Sequence, residues 1–167
     1  MVIEKTTTKG YVISTNRKRL DVSRIHQFLR STYWARDIPR NVVAKSIRNS
    51  LCFAVYYHRE LVGFARMITD RATFAYLADV FILPEHRGRG VGRKLVAAIL
   101  AHRNLQGLRR VLLSTHDAQL FYAQFGFRRL ANPERYLTLH NPDIYQRNPK
   151  SPAAKGIKPR IKPRSAP

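Results

Sequence analysis

The stretch Leu77 to Gly92, reading LADVFILPEHRGRGVG, constrains this chain more than any other. An apolar strand-like run stops at Pro84. A turn holding Arg87, Gly88, Arg89, Gly90 and Gly92 follows, and a helix-patterned segment begins directly after it. Strand, basic glycine turn and helix start form a ready anion site, because the first N–H groups of a helix lack partners and carry partial positive charge. The turn lacks the Gly-Lys-Ser/Thr ending of a P-loop. Its alternating glycines also miss the spacing of the dinucleotide fingerprint, so neither nucleotide class fits.

The segments before the turn set the fold class. Tyr11 to Ile13 reads as a short first strand after a frayed start, and Asp21 as the cap of a helix with Val22, Ile25, Phe28 and Leu29 inward. An aromatic loop with Tyr33 and Trp34 leads to a second helix opened by Pro39. LCFAVYY and LVGFARMI then read as a hairpin around His58, Arg59 and Glu60, and FAYLADVFIL as a buried central strand with one charge, Asp79. After the turn, a helix with Val91, Leu95, Ala98, Ile99 and His102 on one face runs toward Gly107. Val111 to Leu113 is a strand, Asp117 caps a short helix over 118–124 that Gly126 ends, and Tyr136 to Leu139 is a last strand. A meander feeding a single glycine turn differs from repeated strand–helix alternation.

With 167 residues the chain suits one domain, placed at 1–145, followed by a Pro- and Lys/Arg-rich tail over 146–167 that reads as disordered. Thirty-one Lys and Arg against ten Asp and Glu give a net charge of +21, which calls for an anionic partner without naming it. The one cysteine, Cys52, excludes an intrachain disulfide framework and reads as a core residue. With no apolar leader and no membrane-length apolar run, the expected compartment is the cytoplasm, without a membrane partner. The histidines show no metal-ligand spacing, so no metal is expected.

Arg87-Gly88-Arg89-Gly90-Val91-Gly92 resembles the R-x-x-G-x-G pattern of the GCN5-related N-acetyltransferase (GNAT) family. A second match follows in the right order: Leu120-Phe121-Tyr122-Ala123-Gln124-Phe125-Gly126-Phe127 resembles that family's short helix with a tyrosine before Phe-Gly-Phe. The resemblance covers about residues 10–140. It implies an α+β (α/β) fold: a mixed, mostly antiparallel central sheet, helices on both faces, and central strands splayed into a V-shaped slot. It also implies an N-acetyltransferase using acetyl-coenzyme A as cosubstrate.

Residue by residue, the resemblance places backbone groups of Val80, Phe81 and Ile82 against the pantetheine arm. The N–H groups of Arg87, Gly88, Arg89, Gly90, Val91 and Gly92 surround the pyrophosphate, with Ser114 and Thr115 on the second arm of the slot; Arg89 and Arg93 are further phosphate candidates. Direct transfer to an amine needs a base, since a lysine-type ammonium of pKa ~10.4 cannot attack, and an acid for the leaving thiolate. The resemblance makes Tyr122 the acid; the alternative is that Tyr122 merely packs among Phe121 and Phe125. Asp79 is the base candidate because a carboxylate in an apolar strand is costly unless used. The alternative is an ion pair with a nearby arginine. Alternation puts Leu77, Asp79 and Phe81 on one face, and His116 and Asp117 are the second choices for the base. Tyr33 and Trp34 are candidate acceptor contacts.

The acceptor is expected to be a small-molecule amine or a protein amine, with neutral or anionic amines favoured by the cationic surface, and the protein a monomer or homodimer. Two other readings stay open: a non-catalytic acetyl-coenzyme A sensor, and a nucleic-acid-binding protein acting through the basic tail.

Overall fold

A computed structural model of the chain describes residues 4–6 and 10–146. The tail expected over 146–167 lies, from residue 147 onward, outside the described residues. Contacts divide the chain into two units, with the boundary between Arg128 and Arg129.

In the first unit a six-stranded sheet follows chain order. It contains β1 (Glu4–Thr6), β2 (Tyr11–Ser14), β3 (Leu51–Tyr57), β4 (Glu60–Thr69), β5 (Phe74–Ile82) and β6 (Arg110–Leu112). Neighbours are antiparallel except β5 and β6, which are parallel. Parallel strands need a crossover, and α3 (Val91–Leu100) supplies it. The pair α1 (Val22–Leu29) and α2 (Arg40–Arg48) connects β2 to β3, and α4 (Gln119–Ala123) follows β6.

Strand alternation divides the core between the two sheet faces. Phe53 and Val55 of β3 and Val62, Ala65 and Met67 of β4 pack with Val91, Leu95, Val96 and Ile99 of α3. On the other face Phe81 stacks on Phe28 of α1 at 3.9 Å between ring centroids, and the buried Cys52 of β3 donates its thiol to the Ile47 carbonyl of α2. The sheet is therefore covered on both sides, as the resemblance implied.

Local chemistry explains most element ends. Asp21 caps α1 by accepting from the Arg24 N–H at 2.9 Å. The β3–β4 hairpin turns on two residues only, His58 and Arg59, both at positive φ (46° and 71°), because Tyr57 pairs with Glu60. That is the conformation of a type I′ turn without its usual Asn-Gly.

Five expectations change. Glu4–Thr6, expected to be frayed, pairs with β2. Helix α3 ends at Leu100 rather than near Gly107. His102 lies past it, where its Nδ1 accepts from the Asn104 N–H and caps a 3-10 turn whose Leu105 joins the core. Asp117 does not cap α4; the Thr115 hydroxyl accepts from the Ala118 N–H at 3.1 Å instead. Leu77, Asp79 and Phe81 do not share a face, for a reason given below. In the second unit, Tyr136 to Leu139 forms no strand. A 3-10 turn at Pro133–Arg135 precedes it and Leu137 is 97% exposed, so β propensity there is not backed by burial.

Candidate active site

The site begins where β5 parts from β6. Their ladder covers Phe74↔Arg110, Ala75↔Val111 and Tyr76↔Leu112 and then stops. From Leu77 to Ile82 the edge of β5 that faced β6 has no strand beside it among the described residues, although its other edge stays paired to β4. Backbone groups along such an edge can accept an extended ligand as an added strand. Val80, Phe81 and Ile82 lie on this length of β5. Phe81 can offer only its backbone, since its ring is buried against Phe28.

A bulge accompanies the parting. Phe64 pairs with Phe81 and Arg66 with Ala78, so Ala65 alone faces both Asp79 and Val80. Asp79 takes up the extra residue with φ 54°, a left-handed conformation that costs a non-glycine residue ~1–2 kcal/mol. The extra residue reverses the alternation. Leu77 packs on the α3 side, and Phe81 faces α1. The Asp79 carboxylate accepts from Arg66 Nε at 2.5 Å, with the two side chains 10% and 16% exposed. The ion pair left open by the sequence is thus formed.

Beyond β5, a 3-10 turn at Pro84–His86 leads into the glycine turn. Two side-chain contacts fasten it. Arg87 Nε donates to the Ile82 carbonyl at 2.9 Å, and the His86 ring meets the Tyr11 hydroxyl at 3.1 Å between Tyr11 and Tyr57. The Arg87 N–H is committed as well, to the Pro84 carbonyl. The outward donors therefore start at Gly88. Gly88 and Gly90 have φ 70° and 75°, and a Cβ on either would meet nothing within 4 Å. Glycine is required there by the left-handed backbone, and open space lies over it. Lys94 N–H makes the first helical bond, to Gly90 O, so the N–H groups of Val91, Gly92 and Arg93 lie in the unpaired first turn of α3.

The second arm of the slot continues from β6 through Ser114 and Thr115 to α4. Tyr122 on α4 is 8% exposed, packed edge-on against Phe121 and Phe127. Burial pushes its hydroxyl up to about 12, with Tyr33 and Asp117 adding to the effect. The α1–α2 loop reaches the same place. Tyr33 OH accepts from the His116 N–H at 3.2 Å, and its ring meets Trp34 and His116 edge-on. Tyr33 is 61% and Trp34 44% exposed, so both present aromatic surface beside the β6–α4 loop. Cys52 is buried, and desolvation raises its thiol to about 11, which removes it as a nucleophile. Among the described residues no cluster of three His, Cys, Asp or Glu could hold a metal, and no helix is long and apolar enough to cross a membrane.

Comparison with known proteins gives the family of the chain. The family model described as an acetyltransferase (GNAT) domain matches residues 48–129. A Gibberella zeae protein assigned as an acetyltransferase is 38% identical over 146 residues, which make up 72% of this chain and 81% of that one. A crystal structure of a protein assigned to the GNAT acetyltransferases from Xanthomonas campestris pv. campestris is 44% identical, covers 86% of this chain and 100% of its own, and superposes with a TM-score of 0.81. A Mycobacterium tuberculosis protein solved in complex with coenzyme A shares the fold, at 23% identity and a TM-score of 0.57, over 71% of this chain and 72% of that one. The chain belongs to the GNAT acetyltransferase family. It is an acetyl-transferring enzyme.

Proposed function

We propose that this acetyltransferase takes its acetyl group from acetyl-coenzyme A and passes it to a primary amine by direct attack. The observation that carries the reading is the β5 edge, free of β6 beyond Tyr76, running straight into the left-handed turn at the start of α3. Its shape fits a thioester with an extended amide-bearing arm and a pyrophosphate. The β5 edge offers hydrogen-bonding groups to the arm, and Gly88 to Gly92 offer N–H donors below open space to the phosphates. Arg89 adds positive charge there, Arg93 is a further candidate, and Ser114 and Thr115 border the slot from the other side. Acetyl-coenzyme A supplies an acetyl group activated as a thioester; the residues around it bind, orient and manage protons.

Tyr122 is the proton-holding group of the slot. Burial keeps its phenol neutral through the whole physiological range, so it can donate a hydrogen bond where a thiolate leaves. Tyr33 and Trp34 form the acceptor side, and the packing of Tyr33 on the His116 backbone supports that placement. Cys52 is too buried for an acyl-enzyme route.

The test is calorimetric titration with acetyl-coenzyme A followed by turnover over a panel of amines. Saturable binding and acetylation of at least one amine are expected, with Tyr122→Phe lowering kcat by roughly 100-fold or more and leaving cosubstrate affinity nearly intact. Failure of the wild-type protein to bind acetyl-coenzyme A would overturn the reading. Binding without turnover on any amine would refute the primary-amine acceptor.

A further inference from the structure

Asp79 sits at the bulge, and the bulge sits three residues past the last β5–β6 pair. Its left-handed φ of 54° is unusual for a residue other than glycine, and such a conformation persists only where surroundings hold it. Arg66 provides the hold. Its Nε donates to Asp79 Oδ2 at 2.5 Å, and another guanidinium nitrogen donates to Ser50 Oγ at 3.3 Å, beside the start of β3. One side chain on β4 thereby ties the bulged strand to the strand on its far side. The pair is largely withdrawn from water, where a charged hydrogen bond is strong and geometrically selective.

The bulge has two consequences for the slot. It reverses the facing of every β5 residue that follows, which sends the Phe81 ring to Phe28 and leaves the backbone of Val80 to Ile82 along the open edge. It also bends the strand, three residues past Tyr76, the last β5 residue that pairs with β6.

We propose that Arg66 and Asp79 are positioning residues: their ion pair fixes the bulge that opens β5 from β6 and sets the Val80–Ile82 edge for the pantetheine arm. This rests on the acetyl-coenzyme A reading above. It also gives Asp79 a role other than general base: one oxygen of its carboxylate is engaged by Arg66 in a largely buried ion pair.

Three variants separate the roles: Asp79→Gly, Asp79→Asn and Arg66→Met. Glycine adopts the left-handed backbone freely yet leaves Arg66 nothing to hold. Asparagine tolerates that backbone and its amide oxygen still accepts from Nε, but it cannot serve as a base. Each is tested for acetyl-coenzyme A affinity by calorimetry, for KM and kcat across pH, and for folding by thermal melting.

Asp79→Gly is expected to weaken acetyl-coenzyme A binding and raise its KM about 10-fold, with Arg66→Met following the same pattern. Asp79→Asn is expected to restore the affinity to within about threefold and to keep the shape of the kcat–pH profile. The proposal is overturned if Asp79→Asn and Asp79→Gly both lose kcat by roughly 100-fold or more with cosubstrate affinity intact, the signature of a lost base. It is equally overturned if Asp79→Gly binds acetyl-coenzyme A as the wild type does. Should Arg66→Met fail to fold, the two Asp79 variants still decide. Failure of the wild type to bind would instead sink the parent reading.

Discussion

Gly90 and Gly107 make a matched pair for testing the phosphate cradle. Their φ values are 75° and 74°, and an added Cβ would meet nothing within 4 Å at either position. Alanine should therefore impose the same backbone cost at both, ~1–2 kcal/mol for a non-glycine residue in the left-handed region, without steric conflict inside the protein. For a chain of this size that lowers Tm by about 2–8 °C. Their surroundings differ in function. Gly90 caps α3 beside the open edge of β5, whereas Gly107 precedes Arg110, where β6 begins, at the end of the β5–β6 ladder away from the slot.

If phosphates rest on the Gly88–Gly92 backbone, a methyl at Gly90 occupies ligand space and disturbs hydrogen bonds to a charged group, which are worth ~1.5–3 kcal/mol. At 1.4 kcal/mol per decade, Gly90→Ala should weaken acetyl-coenzyme A by roughly 10- to 100-fold, while Gly107→Ala binds like the wild type. Thermal melting and calorimetry on the two variants supply both readings. Equal loss of stability with equal, wild-type affinity would remove the cradle from this turn.

Two further outcomes follow from titrating groups. Asp70 closes the β4–β5 turn: it accepts the Thr73 hydroxyl at 2.6 Å and the N–H groups of Ala72, Thr73 and Phe74 at 3.0 Å each, which holds its carboxyl well below the ordinary value of 3.8. A depressed folded pKa adds stability that is complete above the unfolded pKa and is lost progressively as pH falls from there toward the folded pKa, so melting curves from pH 5 down to 2 should show the onset of a loss that Asp70→Asn diminishes. Cys52, raised to about 11 by burial, should resist iodoacetamide at pH 8 in the folded protein and react once denaturant is added; alkylation at the free-thiol rate would mean that β3 opens readily.

Features carried by neighbouring residues were legible in the sequence. The glycine turn, the Asp21 cap, the strands Leu51–Tyr57 and Phe74–Ile82, and the Gly126 stop after α4 each depend on side chains within a few positions. What depends on a partner strand was not. The Asp79 bulge exists because Ala65 faces two residues, and no alternation rule applied to β5 alone can show where the register slips. The Arg66–Asp79 contact spans two strands for the same reason. The Tyr33–His116 contact joins residues 83 positions apart, and only the folded chain brings that loop to the slot. A weak signal for the bulge was present nonetheless: Asp is among the few residues that enter the left-handed region readily.

The sequence set two roles for Tyr122 against each other, proton donor or packed aromatic; the structure shows the packing, and under the proposed function that packing serves the proton role. Packing against Phe121 and Phe127 is what withdraws the hydroxyl from water and lifts its pKa to about 12. An ordinary thiol has a pKa of ~8.5, well below that of such a phenol, so complete proton transfer from Tyr122 to a thiolate runs uphill. Tyr122 is thus better suited to donate a strong hydrogen bond to developing negative charge than to surrender its proton, and the proton released by the acylated amine can complete the exchange. A more acidic, ring-fluorinated tyrosine at position 122 distinguishes the two. Complete transfer predicts a steep rise of kcat as the phenol grows more acidic; hydrogen-bond donation predicts only a shallow rise until the analogue itself begins to ionise, where activity falls with rising pH. A steep acceleration at neutral pH, nearly tenfold for each unit of added acidity, would restore Tyr122 to the role of full general acid and refute the argument from burial.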